Sequence, residues 1–212
     1  MKKFISSLVF LLIFLNLSSQ DTVRITHNEY ITVFSKTLRY PVLVEWWDTK
    51  IRVDCSNPLP RKDRFAFDPY LPIETNLMKD YVNSGYDRGH MCPAADNRCS
   101  GIFSMEECFY FSNMTPQTHS LNAGLWKSVE VMTRELSVKN DSVHIWCGSI
   151  GELKKIGTIS VPTKCWKIIY IVKTKEWLCF LFDNINNLTK ELSNYKTTKE
   201  QIEKLTGFKF TR

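Results

Sequence analysis

At 212 residues, 43% hydrophobic and 24% charged, the chain has the composition of an ordinary folded protein. That excludes wholesale disorder and leaves room for one domain with a sizeable core, or for two small ones. The formal charge is +6, or +4 (6 − 2) once Lys2 and Lys3 are set aside with the leader; a modest basic surplus suits a polyanionic partner and serves solubility equally well.

The leader is residues 1–20. Lys2 and Lys3 precede an apolar run from Phe4 to Leu17, broken only by Ser6, Ser7 and Asn16, and Ser18-Ser19-Gln20 follow. A basic start, a short apolar centre and small residues describe a secretory signal peptide. The run falls short of the roughly 20 apolar residues that a bilayer span needs. An uncleaved N-terminal anchor is the alternative, because Gln20 is a poor residue before a cut. The folded domain is therefore expected over 21–212, secreted or periplasmic, with no stable membrane association after cleavage. All 7 cysteines lie beyond the leader. In an exported chain they favour disulfides, and an odd number leaves at least one thiol unpaired or shared between chains. No CxxC pair occurs, which argues against zinc.

In chain order, Tyr30 to Phe34, Pro41 to Trp47 and Ile51 to Val53 are rich in β-branched and aromatic residues and read as strands. His27, ahead of the first, reads as a surface histidine. Residues 56–84 hold Pro58, Pro60, Pro69 and Pro72 with Arg61, Lys62, Arg64 and Asp68. That is a long irregular excursion, functional where ordered, whose basic side chains either reach a phosphate or form a solvated face. After a turn at Gly85, Asp87-Arg88-Gly89-His90 follows. Phe109 to Asn113 looks like a strand that Pro116-Gln117 breaks. Leu121, Leu125, Val129, Met132 and Leu136 then recur at helical spacing as one apolar stripe. Strand pattern returns over Val143 to Cys147, Cys165 to Val172 and Trp177 to Phe182. Thr197 to Leu205 reads as a short helix with Thr198 as its cap and Gly207 as its stop. Without a strict βαβ alternation, the expected fold is α+β with a mainly antiparallel sheet.

The chemistry centres on four residues. Phosphodiester cleavage needs an activated water, positive charge at phosphorus and help for the departing oxygen. His90 has the right proton affinity for a base. Arg88, two residues earlier, reaches the same face of a strand and supplies fixed charge, and Gly89 between them leaves space for substrate. Asn122 stands at a helix entrance, where its carbonyl oxygen suits Mg²⁺. Glu130 lies about 12 Å of helix rise further on, at roughly 1.5 Å per residue, so it acts on a metal through water. Each has a plain counterpart: Asn122 as a helix cap, His90 as a surface or core histidine, Glu130 and Trp126 as helix-surface and packing residues. His119 and His144 are read as structural, and Asp87 as a residue that orders its loop.

Taken together, Asp87-Arg88-Gly89-His90, Pro93-Ala94-Ala95-Asp96, Phe109 to Asn113 with Pro116-Gln117, and Leu121-Asn122 with Trp126 and Glu130 resemble the DNA/RNA non-specific endonuclease family, the ββα-metal nucleases. The likeness extends through Tyr40-Pro41, Val161-Pro162 with Lys167, and Ile202 to Gly207, covering nearly all of the chain after the leader. The resemblance implies a metal-dependent endonuclease acting on DNA and RNA with little sequence preference. His90 would be the general base and Asn122 the direct ligand of Mg²⁺, or of Mn²⁺ or another divalent ion. Glu130 would act on that ion through water, and the metal would assist the leaving 3′ oxygen. Arg88 and an upstream arginine, Arg61 with Arg64 as the substitute, would contact the phosphate. A homodimer is implied by the same analogy. Cys92, beside the expected catalytic strand, is either a thiol or half of a disulfide. The readings of another class are a secreted module that binds nucleic acid without turnover and a disulfide-rich envelope protein.

Overall fold

A computed structural model describes residues 21–71 and 77–212. The expected signal and Pro72 of the proline-rich excursion lie outside the described residues. In chain order the elements are β1 (Thr22–Thr26), β2 (Tyr30–Ser35), β3 (Tyr40–Thr49), α1 (Lys50–Val53), α2 (Leu77–Tyr81), β4 (Asp87–His90), α3 (Ile102–Glu107) and β5 (Met114–Gln117). A π-helical turn (Leu121–Trp126) then runs into α4 (Lys127–Asn140). After it come β6 (Ser142–Ile150), β7 (Lys154–Ile156), β8 (Ile159–Val161), β9 (Lys164–Ile171), β10 (Glu176–Asp183), β11 (Lys196–Thr197) and α5 (Lys199–Thr206).

The fold is α+β. Seven strands in the order β1-β2-β3-β6-β9-β10-β11 form one sheet, and every pairing in it is antiparallel. Its central strands read as near-continuous apolar runs because both faces are covered. Period-2 alternation sends Val44, Trp46, Ile145, Cys147 and Ile169 to one face, where Leu121, Leu125, Trp126 and Val129 of the helix pack. Leu43, Trp146, Ile168 and Tyr170 point to the other, against Ile202 of α5 and Phe210. Thr198 caps α5 by accepting the Gln201 N–H, and Gly207 closes it at φ +77°.

Two smaller ribbons flank the sheet. One, β4 with β5, places Asp87 opposite Gln117 and His90 opposite Met114. Pro116 therefore does not break a strand; it sits inside one. A two-stranded ribbon has free outer edges, so a missing N–H is tolerated, and on that edge the Pro116 carbonyl accepts from the Asn184 side chain at 2.9 Å. The expected strand over Phe109 to Asn113 is instead a 3-10 turn at Phe111–Asn113 that delivers the chain into β5.

Ile51 to Val53 is likewise helical, as part of α1. Thr49 accepts the Arg52 N–H and starts the turn, and the Arg52 guanidinium is then buried. It bonds the Asp96 carbonyl at 3.1 Å and Asn97 Oδ1 at 3.0 Å. A strand would send that cation away from its partners. His27 is not on the surface: it is 6% exposed, stacks on Tyr30 with centroids 4.4 Å apart, and lies 3.2 Å from Asp68. Asp68 also takes the Ser112 hydroxyl and the Tyr70 N–H.

Those bonds, with the bridge between Ala66 and Tyr110, tie down the irregular segment that carries Arg61. Cys55 and Cys99 form a disulfide that anchors the start of the same excursion, with their Cα atoms 5.9 Å apart. Cys92, Cys108, Cys147, Cys165 and Cys179 are buried free thiols. A loop closed across a separation of 44 residues is worth roughly 2–4 kcal/mol. Reduction should lower the denaturant midpoint accordingly, and Cys55→Ser/Cys99→Ser should show no further response to reductant. Among the described residues no helix is long and apolar enough to cross a membrane.

Candidate active site

The β4 strand presents Arg88 and His90 on one face, as alternation requires. The Arg88 guanidinium lies 4.0 Å over the Phe65 ring, and His90 stands 5.8 Å from that ring and edge-on to Phe109 at 4.9 Å. Arg61 lies 5.4 Å over Phe109. The imidazole is thus flanked by two aromatic rings, each carrying a guanidinium. It is 9% exposed, and its Nε2 has no hydrogen-bond partner. Burial, and then the charges of Arg61 and Arg88, pull its pKa down to about 3. His90 is therefore an uncharged imidazole at neutral pH, with its Nε2 buried and unbonded.

Gly89 faces the opposite way. A Cβ there would lie 2.1 Å from Gln117 Oε1, so this glycine admits the packing of β5 and does not leave room for substrate.

Beside this group lies a cleft of about 440 Å³ lined by Arg61, Phe65, Tyr86, Asp87, Arg88 and Asn122, among others. Arg64 does not line it; its guanidinium pairs with Glu106 at 3.4 Å on the surface. Arg61 is paired with Asp63 at 2.6 Å. The helix is fastened to β4 twice. Trp126 Nε1 donates to the His90 carbonyl at 3.0 Å, and Asn122 Nδ2 donates to Asp87 at 2.9 Å.

Glu130, one turn beyond Trp126, is partly buried. Burial pushes its pKa up to about 7 against the opposing charge of Lys167. The structure thus brings Arg61, Arg88 and Asn122 together around one cleft; His90 packs against Phe65 of its wall without lining it, its Nε2 buried, and Glu130 follows Asn122 along the helix. His119 meets Asp87 at 2.9 Å, exposed at the edge of the site. His144 is stacked between Trp47 and Trp146 on the sheet, away from it.

The sequence profile described as DNA/RNA non-specific endonuclease matches residues 12–212. The chain belongs to the DNA/RNA non-specific endonuclease family. Human "Nuclease EXOG, mitochondrial" is 31% identical over 169 residues, covering 69% of this chain and 46% of its own length. The "Nuclease" of Serratia marcescens is 29% identical over 205 residues, 88% of this chain and 74% of its own. The chain spans about half the length of the mitochondrial relatives it matches. The solved structure described as "Crystal structure of the EndoG/EndoGI complex: Mechanism of EndoG inhibition" superposes with a TM-score of 0.76 at 25% identity, over 88% of this chain and 84% of that one.

In this member of the non-specific endonuclease family, the donors fit one divalent ion held lightly. Asp87 can only accept, so its bond from Asn122 Nδ2 fixes the amide and turns Oδ1, which bonds nothing else among the described residues, away from Asp87. A single neutral oxygen suits Mg²⁺, which retains most of its water. Among the described residues no three His, Cys, Asp or Glu side chains cluster as a metal cage.

Sequence reasoning missed two supports. Asn113 clamps the chain just after His90: its Oδ1 accepts the Cys92 N–H at 2.9 Å, and its Nδ2 donates to the Cys92 and Cys108 carbonyls at 2.9 and 2.8 Å. Asp87 aligns Asn122. Both residues belong to the recognised words, and Asp87 reads there only as a residue that orders its loop.

Proposed function

We propose that the chain is a divalent-metal-dependent endonuclease hydrolysing DNA and RNA with little sequence preference. The observation that carries this reading is the uncharged, unbonded imidazole of His90 set between two guanidiniums beside a cleft that also presents Asn122. His90 takes the proton of the attacking water at Nε2. Arg88 and Arg61 bind the scissile phosphate, and contact with backbone alone makes cleavage indifferent to sequence. Arg61 must leave Asp63 to do so, an exchange of one exposed carboxylate for a phosphodiester of the same single negative charge. Asn122 would hold a divalent ion through its amide oxygen, with Glu130 acting on that ion through water. The ion, when bound, supplies Lewis acidity at the phosphate and charge stabilisation for the leaving 3′ oxygen.

The test is incubation of plasmid DNA and RNA with the purified protein, with Mg²⁺ and with chelator. Cleavage of both polymers is expected with Mg²⁺, none with chelator, and a steep loss of binding with salt. Intact substrate under every divalent ion, with binding retained, would instead indicate a module without turnover. We also infer export: the apolar leader and the Cys55–Cys99 disulfide support it. Relatives whose names place them in mitochondria make the alternative address explicit. N-terminal sequencing of the mature protein decides, and a start near residue 21 is expected.

A further inference from the structure

Three cations lie over aromatic rings beside the cleft: Arg61 over Phe109 at 5.4 Å, Arg88 over Phe65 at 4.0 Å and Lys154 over Tyr86 at 5.0 Å. The first two are those assigned to the scissile phosphate. Lys154 has no part in that assignment, yet Tyr86 lines the cleft together with Arg61 and Arg88. A ring beneath a cation steadies it without using its N–H donors, which stay free for an anion.

The place of the lysine follows from the ribbon that carries it. β7 pairs antiparallel with β8, with Lys154 opposite Val161 and Ile156 opposite Ile159. Ile156, Ile159 and Val161 are buried in the cluster against which Tyr86 packs. Alternation puts Lys154 on the same face as Ile156, so it reaches over Tyr86, while the exposed Lys155 points away. Asp80 of α2 holds the ribbon there by accepting the Thr158 N–H at 2.9 Å. Carboxylates on the neighbouring elements are taken: Asp80 by Thr158, Glu152 by the Ser160 hydroxyl, and Asp87 by Asn122 and His119. Lys154 itself is exposed and makes no ion pair among the described residues.

Tyr86 and Arg88 are two residues apart in the chain, about 7 Å at roughly 3.3 Å per extended residue. That is close to the step between successive phosphates of a nucleic-acid strand. We propose that Lys154, held on the Tyr86 ring, is a second phosphate subsite: it contacts the phosphate next to the scissile one while Arg88 and Arg61 hold the scissile group. The proposal deepens the endonuclease reading and rests on it for the position of the scissile phosphate. Its ligand is the anionic backbone, so the subsite adds affinity without adding sequence preference.

The test uses the full chain with Lys154→Gln, Lys154→Arg and, as a control, Lys155→Gln. On a single-stranded oligonucleotide, Lys154→Gln should raise KM by about 3–10-fold with kcat within about twofold of wild type. Lys154→Arg keeps the charge and should stay close to wild type. On a dinucleotide with a single phosphate, Lys154→Gln should match wild type, because no neighbouring phosphate exists. A loss of equal size on the dinucleotide, or an equal loss from Lys155→Gln on the oligonucleotide, overturns the proposal. Oligonucleotide binding with chelator present gives a readout that needs no turnover. The slope of log affinity against log salt should become shallower by about 0.7 for Lys154→Gln and stay unchanged for Lys155→Gln. A lysine that only props Tyr86 would shift Tm and leave that slope alone, and this result also overturns the subsite. A wild-type chain that binds but cuts nothing sinks the endonuclease reading, and the salt slope then still decides whether Lys154 meets a phosphate.

Discussion

His90→Ala is expected to slow phosphodiester cleavage by about 10²–10⁴-fold, the range of a positioned general base, while affinity for nucleic acid stays close to wild type. The phosphate contacts assigned to Arg61 and Arg88 do not pass through the imidazole, and Nε2 bonds nothing that its removal would orphan. The pH profile carries a sharper form of the same claim. Burial and the two arginines hold the His90 pKa at about 3, against 6.5 for a free imidazole. The base therefore stays uncharged across the window from pH 6.5 to 3, and activity should show no His90-dependent acidic limb near 6.5.

The same shift acts on stability with a definite sign. Below pH 6.5 the unfolded chain takes a proton at His90 that the folded chain refuses, so stability falls as pH drops toward 3, by about 1.4 kcal/mol per unit at most. His90→Ala lacks that penalty and should lose less stability over the same window in urea titrations. A wild-type turnover number for the purified, metal-supplied variant would remove His90 from the role of base.

The strands and the long helix were legible because their apolar periods are imposed by the covered faces of one sheet. Val143 to Cys147 and Cys165 to Ile171 are buried on both sides and look it. That Arg88 and His90 share a face was legible because both are local to one strand. What failed depended on partners distant in sequence. Ile51 to Val53 has strand-forming residues, yet the buried contacts of Arg52 with Asp96 and Asn97 require a helix. His27 reads as a surface residue until Asp68 closes over it. Phe109 to Asn113 has strand composition, but the Asn113 amide spends its donors and acceptor on the loop around Cys92. The choice between Arg61 and Arg64 was invisible because both sit in one irregular segment. Its path is set by the Ala66–Tyr110 bridge and by Asp68, and of the two only Arg61 reaches the cleft.

Glu130→Gln is expected to slow cleavage by about 10–100-fold and, in the metal-free protein, to raise stability at alkaline pH. Burial lifts the folded-state pKa of Glu130 to about 7 from an ordinary 4.5. Between those values the folded chain keeps a proton that the unfolded chain has released, so stability is lost as pH rises through the window. Above pH 7 the loss is complete and amounts to about 2–3 kcal/mol. Glutamine never ionises and avoids it. Urea unfolding with chelator present should therefore give the variant and wild type similar stability, apart from a constant offset, at pH 4.5, with the gap widening in favour of glutamine up to about pH 7 and level beyond. This slope is opposite in sign to the one His90 contributes, so the two substitutions separate cleanly on one pH series. Protein kept less stable by a half-buried carboxylate that cleavage needs is the expected trade at a working site. A stability difference that does not change with pH would mean that Glu130 is solvated like any surface glutamate, and the buried setting assigned to it would be lost.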